Sequence, residues 1–477
     1  MNSKILSYLV DNLAKLAIIM IGISLIISNL INEDYSIAIT NIIIIVLAYY
    51  SYQKLEEKDI IIDNKKLNKL FIIGILILII IQVLFIYIFM MQPEWDFGWV
   101  TNIARIKSYQ QNLPQEHILY LYNYPFNYSL VLIYEFLFKI LGYNINILFI
   151  LGLIVIDISI IIIYMTLKNN FSNSTVAKIS LIMLLFYPYI SYVLIPYSDI
   201  LALPFLSLAI FIIYRNNKIN YDFKTVVLFS LVIGIGALFK VLVLIIPIAY
   251  FIYGIIILSK FKKLIVIIPF IIVIILNHQF GLYIDSKYYS YAKFSESGLT
   301  PLYWMYAGLN NDSMGQYNIN DYNESLKWGI RLTKEEKAEV TKFYQEGIIE
   351  RLNKLKISGI VEIIQHKLNI TWSDGTYGMK NYINIRPIRD SRTREFFASG
   401  EGKYIILFYS QLIHFSLMIG LSKLLKNQGN LFFKLVFLGF FGYLLLFEAG
   451  PRYILLFSPI LYIINALYLD KEKEIKL

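Results

Sequence analysis

Long apolar runs separated by short charged breaks organise this chain, and their length sets the first expectation. Twelve such runs stand out, at residues 10–31, 36–52, 70–91, 146–167, 176–196, 199–214, 225–240, 241–259, 264–282, 403–422, 430–447 and 452–469. Residues 72–91 carry no charge at all. About twenty apolar residues in helical form match the hydrocarbon thickness of a bilayer, whereas a buried core helix is shorter. The pattern therefore predicts an α-helical polytopic membrane protein with about 12 transmembrane helices.

The breaks are basic at 54–69, 168–178, 215–224 and 260–263, and again at Lys423 and Lys426. Cytoplasmic loops concentrate Lys and Arg, so these breaks are assigned to the cytoplasm and the alternate loops to the outside. Twelve is even, which puts both termini in the cytoplasm. Residues 126–143 test the scheme, because a thirteenth crossing there would move the later basic breaks outside. That stretch is short and places Glu135 and Lys139 four apart on one helical face. It reads as an interfacial or re-entrant helix on the outer side. Four regions follow: an N-terminal hairpin and loop (1–69), a membrane module (70–282) with a first outer loop (92–145), an outer domain (283–402), and C-terminal helices (403–477). The outer domain is expected to be small and mixed in secondary structure, and 333–356 within it has charges spaced as on an exposed helix.

Composition narrows the class further. Of 477 residues, 58% are hydrophobic and only 16% charged, which excludes soluble, disordered and collagenous classes. The net charge of +10 lies in the short loops, so it serves orientation and not nucleic-acid binding. The absence of cysteine excludes disulfides, thiolate metal sites and a cysteine nucleophile. The first apolar run follows Lys4 without a small-residue cleavage site and reads as a span, not a removed signal peptide. No internal repeat is visible.

Charge at the outer ends of the spans carries the candidate chemistry. Glu94 and Asp96, in Gln92-Pro93-Glu94-Trp95-Asp96, follow a span directly. Tyr197-Ser198-Asp199 marks a break between two runs, Lys240 a tight turn, and Arg452 the entry to the last run. Each has a plain structural explanation: a polar helix end, a helix N-cap, a snorkelling lysine, an arginine paired with Glu448. Their coincidence on one side suggests a site. A carboxylate there can accept the proton of an attacking hydroxyl, and fixed cations can receive the charge of a departing phosphate.

These residues resemble the polytopic glycosyltransferases of the C superfamily (GT-C), including protein mannosyltransferases and aminoarabinose transferases, in a Gram-positive branch. Glu94-Trp95-Asp96 is similar to the acidic motif of the first outer loop in that group. Tyr124-Pro125-Phe126-Asn127, Pro196-Tyr197-Ser198-Asp199, Gly236-Ala237-Leu238-Phe239-Lys240 and Pro451-Arg452-Tyr453 also resemble it. So do Trp304-Met305-Tyr306-Ala307-Gly308-Leu309 and Trp372-Ser373-Asp374-Gly375-Thr376-Tyr377. The likeness extends over most of 70–470, with the 1–69 hairpin as an addition. It implies a GT-C-like fold, a polyprenyl-phosphate sugar donor and an inverting direct displacement onto an envelope glycan, lipid or protein. It implies Asp96 as general base supported by Glu94, Asp199 as an orienting group, and Lys240 and Arg452 as phosphate ligands. Tyr124, Asn127 and Tyr197 would contact sugar, with His366, Lys367, Trp372 and Asp374 on the covering face. No second acid adjoins Asp96, so a divalent metal (Mg or Mn, on Asp96 and Asp199) stays open.

Two other classes compete with the transferase. A transporter or flippase would carry charge near mid-membrane and often shows repeats. A polymerase or ligase of envelope polysaccharide precursors, on an unrelated fold, also has large outer loops.

Overall fold

The computed structural model describes residues 3–30, 35–288, 299–325, 334–383, 385, 387–388, 391–422, 424 and 431–470. Lys423, Lys426 and the extreme C-terminus lie outside these.

The described chain is helical almost throughout. It begins with α1 (Ser3–Leu30), α2 (Tyr35–Glu57) and α3 (Asn64–Phe89). Three shorter helices follow: α4 (Trp95–Ser108), α5 (Gln115–Asn123) and α6 (Tyr128–Leu141). Next come α7 (Ile145–Asn170), α8 (Asn173–Leu184), α9 (Tyr187–Ser191) and α10 (Ser198–Ile213). A two-stranded antiparallel hairpin, β1 (Tyr214–Arg215) with β2 (Lys218–Ile219), turns the chain into α11 (Phe223–Phe239), α12 (Ile245–Ile257) and α13 (Ile268–Tyr288). The region between the membrane modules contributes α14 (Pro301–Gly308), α15 (Ile319–Ser325), α16 (Lys334–Trp372), α17 (Met379–Tyr382) and α18 (Arg392–Ala398). The chain closes with α19 (Gly402–Ser422), α20 (Leu431–Leu446) and α21 (Ser458–Leu469).

A helix occupies each of the twelve apolar runs, but they differ in reach. Six are long and apolar enough to cross a membrane, and a seventh would be the pair Asn173–Leu184 and Tyr187–Leu194, bent by 50°. The bend falls where Pro188 opens α9; proline has no N–H to continue the α8 ladder. Hydropathy alone does not register that interruption. Four further apolar segments are shorter. The 16 residues of α10, for example, reach about 24 Å at 1.5 Å per residue, short of a ~30 Å hydrocarbon core. On α3, exposed Ile72, Leu76, Ile80 and Leu84 recur every fourth residue and present one apolar stripe to membrane lipid.

The loops divide between two ends of this bundle. At one end, the Ile60 amide donates to Ser174 Oγ at 3.0 Å and Asn173 Nδ2 to the Ile62 carbonyl at 3.0 Å. There too, the Asn217 amide donates to Asn170 Oδ1 at 2.7 Å, and Tyr468 to Glu56 at 2.7 Å. The basic breaks at 54–69, 168–178 and 215–224 therefore share one end. Near it Lys434 pairs with Asp11 at 2.6 Å, which brings the start of α1 to the same end. Helix starts here are capped by Asp63, Ser172 and Asp222, each accepting from a first-turn amide.

The start of α3 and the close of α7 lie together, so 90–144 leaves and returns on the opposite side. Helix α6, with 14 residues, lies within that segment. Its Glu135 and Lys139 pair at 2.7 Å, as their spacing predicts.

The expected mixed outer domain is corrected. The described part of 283–402 is helical, apart from an isolated bridge between Met91 and Pro387. It has a small core of its own around Tyr303, Val340 and Tyr344. Trp372, Tyr377, Met379 and Ile383 join the main core instead. A segment that buries its large side chains against existing helices needs no sheet to cover them. Helix α16 changes direction at Lys356, whose φ is 54°.

Candidate active site

Four helix ends meet at the end of the bundle away from the basic breaks. Asp96 lies in the first turn of α4. The turn before it is tight: Trp95 has φ of 50°, and a Cβ on Gly98 would stand 2.8 Å from the Pro93 carbonyl oxygen. Backbone held in the left-handed region at a non-glycine residue is costly and gathers at functional positions. Asp199 is in the first turn of α10 and Lys240 caps the C-terminus of α11. Each charge thus has the sign its helix end favours. Arg452 stands in the 3-10 turn Pro451–Phe457 that leads into α21.

Their side chains form one chain of contacts. Lys240 Nζ is 3.0 Å from Asp199 Oδ1, and Arg452 Nε is 3.4 Å from Asp199 Oδ2. Arg452 Nη2 also approaches Asp96 Oδ2 at 3.7 Å. The other oxygen of Asp96 accepts from the Tyr120 hydroxyl at 3.0 Å. Asn127 Nδ2 donates to Tyr120 at 2.7 Å, and Tyr197 donates to Asn127 Oδ1 at 2.8 Å. Both cations also lie on aromatic faces, Lys240 over Tyr453 and Arg452 over Tyr197.

The two carboxylates are not equivalent. Asp199 is 3% exposed and neutralised by two cations, whereas the Asp96 side chain is 39% exposed. Asp199 holds the cations in place, and Asp96 is open to an incoming molecule.

These groups border a cavity of about 350 Å³, within the usual range for small-molecule sites. Asp96, Lys240, Arg452 and Glu448 supply its charge. Tyr124, Tyr197, Trp304, Tyr443 and Tyr453 supply most of its aromatic wall. Glu448 belongs to the loop after α20. Its amide donates to the Trp304 carbonyl at 2.9 Å, and Ala449 donates to Gly315 at 3.0 Å. Burial, reinforced by Asp96 and opposed by Arg452, Lys240 and a hydrogen bond from Tyr453, pushes the Glu448 carboxyl up to about 7.

Of the residues singled out from sequence, Asp96, Tyr124, Tyr197, Lys240 and Arg452 line the cavity. Asp199 and Asn127 stand directly behind it. Glu94 occupies the N-cap position of α4 without a side-chain capping bond and stands outside the lining. Trp372 is fully buried with its ring against Phe437 and Phe457. Asp374 closes a turn onto the Thr376 and Gly378 amides and pairs with Lys380 at 3.3 Å. Lys367 donates to the Leu445 and Phe447 carbonyls at the end of α20, and His366 contacts Gln316.

The donor set does not suit a divalent ion. Asp96 and Asp199 share the Arg452 guanidinium, and no three acidic or histidine side chains are grouped for a metal among the described residues.

Sequence reasoning passed over Tyr120 and Tyr443, quoted Trp304 only as part of a motif in the outer domain, and gave Glu448 only a pairing role. Nothing local separates those tyrosines from the other members of a set of 39. Glu448 had a signal: an acid between two apolar runs, four residues before Arg452.

Fold and site together define a polytopic helical membrane protein with a charged, aromatic-walled cavity at one end of its bundle. The chain belongs to the family described as conserved hypothetical integral membrane protein, whose model matches residues 16–473. No curated protein matches the chain. No solved structure matches it either.

Proposed function

We propose that the cavity is the active site of a GT-C-type membrane glycosyltransferase, which moves a sugar from a polyprenyl-phosphate donor to a cell-envelope acceptor. One observation carries this reading. Asp96, Lys240 and Arg452, far apart in sequence, converge on one cavity at helix ends, with Asp199 behind it pairing both cations. In this reading the apolar helices, the short ones included, make twelve crossings. The basic end and both termini face the cytoplasm, and the cavity faces outward.

Asp96 then acts as general base. The acceptor hydroxyl attacks the anomeric carbon as Asp96 takes its proton, and the bond from that carbon to the phosphate oxygen breaks. The sugar inverts, and polyprenyl phosphate leaves with its negative charge next to Lys240 and Arg452. Tyr120 and Arg452 hold the Asp96 carboxylate in position. Asp199 keeps both cations preorganised, and Tyr124, Tyr197 and Asn127 border the space for sugar.

Incubating the purified protein with a panel of polyprenyl-phosphate sugars and envelope acceptor fractions tests this. Release of polyprenyl phosphate from at least one donor is expected. Passage of a labelled lipid phosphate across proteoliposomes without release from any donor would establish a transporter instead.

A further inference from the structure

Glu448 is the carboxyl group of the cavity for which neither cation contact nor a base role accounts. It is 8% exposed, its backbone is pinned through the Trp304 carbonyl, and its Oε2 has no hydrogen-bond partner. A buried polar atom without a partner is costly in either protonation state. It is also well placed to meet a ligand atom.

The surrounding charge decides which state suits an anion. Asp96 on α4 adds negative charge, while Lys240 beyond α11 and Arg452 beyond α20 oppose it. Lys367 on α16 acts through space, its ammonium turned to main-chain carbonyls. The phenols of Tyr453, Tyr443, Tyr303, Tyr317 and Tyr124 complete the ring around it. With Asp199 behind the wall, three acids face the two cations of the site. Counting only these side chains, and not Lys367 outside the lining, the sum is 2 − 3 = −1 with Glu448 ionised and 2 − 2 = 0 with Glu448 protonated. An arriving phosphodiester therefore meets a site one charge less repelling when Glu448 is protonated.

We propose that Glu448 is protonated when an anionic lipid phosphodiester occupies the cavity and donates its O–H to a phosphate oxygen, so that binding takes up one proton from solvent. This rests on the reading of the cavity as a lipid-phosphate site. The bond formed is charge-assisted and satisfies the unpartnered oxygen. The group is poised for this exchange near neutral pH, because burial and Asp96 already raise its carboxyl to about 7.

The test uses the full chain in detergent and farnesyl methyl phosphate, a phosphodiester with one negative charge at every pH used. Calorimetric titration is run from pH 6 to pH 9 in buffers of different ionisation enthalpy. For the wild type, affinity should fall by up to about tenfold per pH unit above pH 7, with close to one proton taken up. Glu448→Gln should bind with pH-independent affinity and no proton uptake, and Glu448→Asp should keep the uptake. Wild-type binding with no proton uptake would overturn the proposal and leave the phosphate site standing. Uptake that persists in Glu448→Gln, or loss of binding in that folded variant, would also overturn it. If neither wild type nor variant binds at any pH, the lipid-phosphate reading itself fails.

Discussion

Two carboxylates in this molecule, Asp199 and Glu135, are each almost fully buried and each bound by two cations. Asp199 holds Lys240 at 3.0 Å and Arg452 at 3.4 Å, and Glu135 holds Lys139 at 2.7 Å and Lys287 at 3.1 Å. The arrangements differ in where the cations face. Lys139 and Lys287 are 42% and 30% exposed and stitch α6 to the end of α13 in contact with solvent. Lys240 and Arg452 are withdrawn from water, lie on tyrosine rings, and line a cavity. Arg452 also reaches a second, more open carboxylate, Asp96. A buried ion pair is therefore not a site by itself. It becomes a candidate when its cations face an enclosed space that a ligand can fill.

The comparison can be broken at several points. The largest contrast is expected between Arg452→Met and Lys287→Met. The first should cut glycosyl transfer by about 10³-fold, the scale for losing a preorganised charge contact, and the second should leave turnover near wild type. Next, Asp199→Ala strands two poorly hydrated cations and should cost about 3–4 kcal/mol in detergent unfolding. Glu135→Ala should cost markedly less, because Lys139 and Lys287 can turn to water. Equal costs would show that exposure does not separate the two clusters.

Glu448 supplies a smaller, pH-dependent effect. Its carboxyl ionises at about 7 in the folded protein against 4.5 ordinarily. Between those values the folded state keeps a proton the unfolded chain has released, so stability falls as pH rises from about 4.5 to 7. Above 7 the loss is complete, roughly 3 kcal/mol. Glu448→Gln removes it, so its melting temperature should exceed the wild type's at pH 8 and match it at pH 4. The smallest effect belongs to Lys139→Met, at most about 1 kcal/mol for so exposed a partner.

Much of the fold was legible because apolar length is a direct physical requirement. All twelve runs became helices, of which six, or seven with the bent pair, are long and apolar enough to cross a membrane. The bend at Pro188, the shortness of α10 and the helical packing of the described part of 299–398 were not legible. They depend on where proline interrupts a ladder and on which neighbours accept Trp372 and Tyr377. Within the site, Asp96, Asp199, Lys240 and Arg452 were legible because charge at the end of an apolar run is expensive and conspicuous. Trp372 and Asp374 looked equivalent in sequence, yet one fills the core and the other closes an Asx turn. Tyr120 and Tyr443 acquire meaning only when α5 and α20 are brought to the same cavity.

The central claim is that Asp96 is the base of a transfer reaction. The most direct measurement compares wild type with Asp96→Asn for release of polyprenyl phosphate from whichever donor the wild type uses, with membrane insertion and thermal stability checked in parallel. The carboxamide keeps the shape and can still accept from Tyr120, but it cannot take a proton. Transfer should vanish while the protein inserts and melts normally. Full transfer in Asp96→Asn would contradict the assignment.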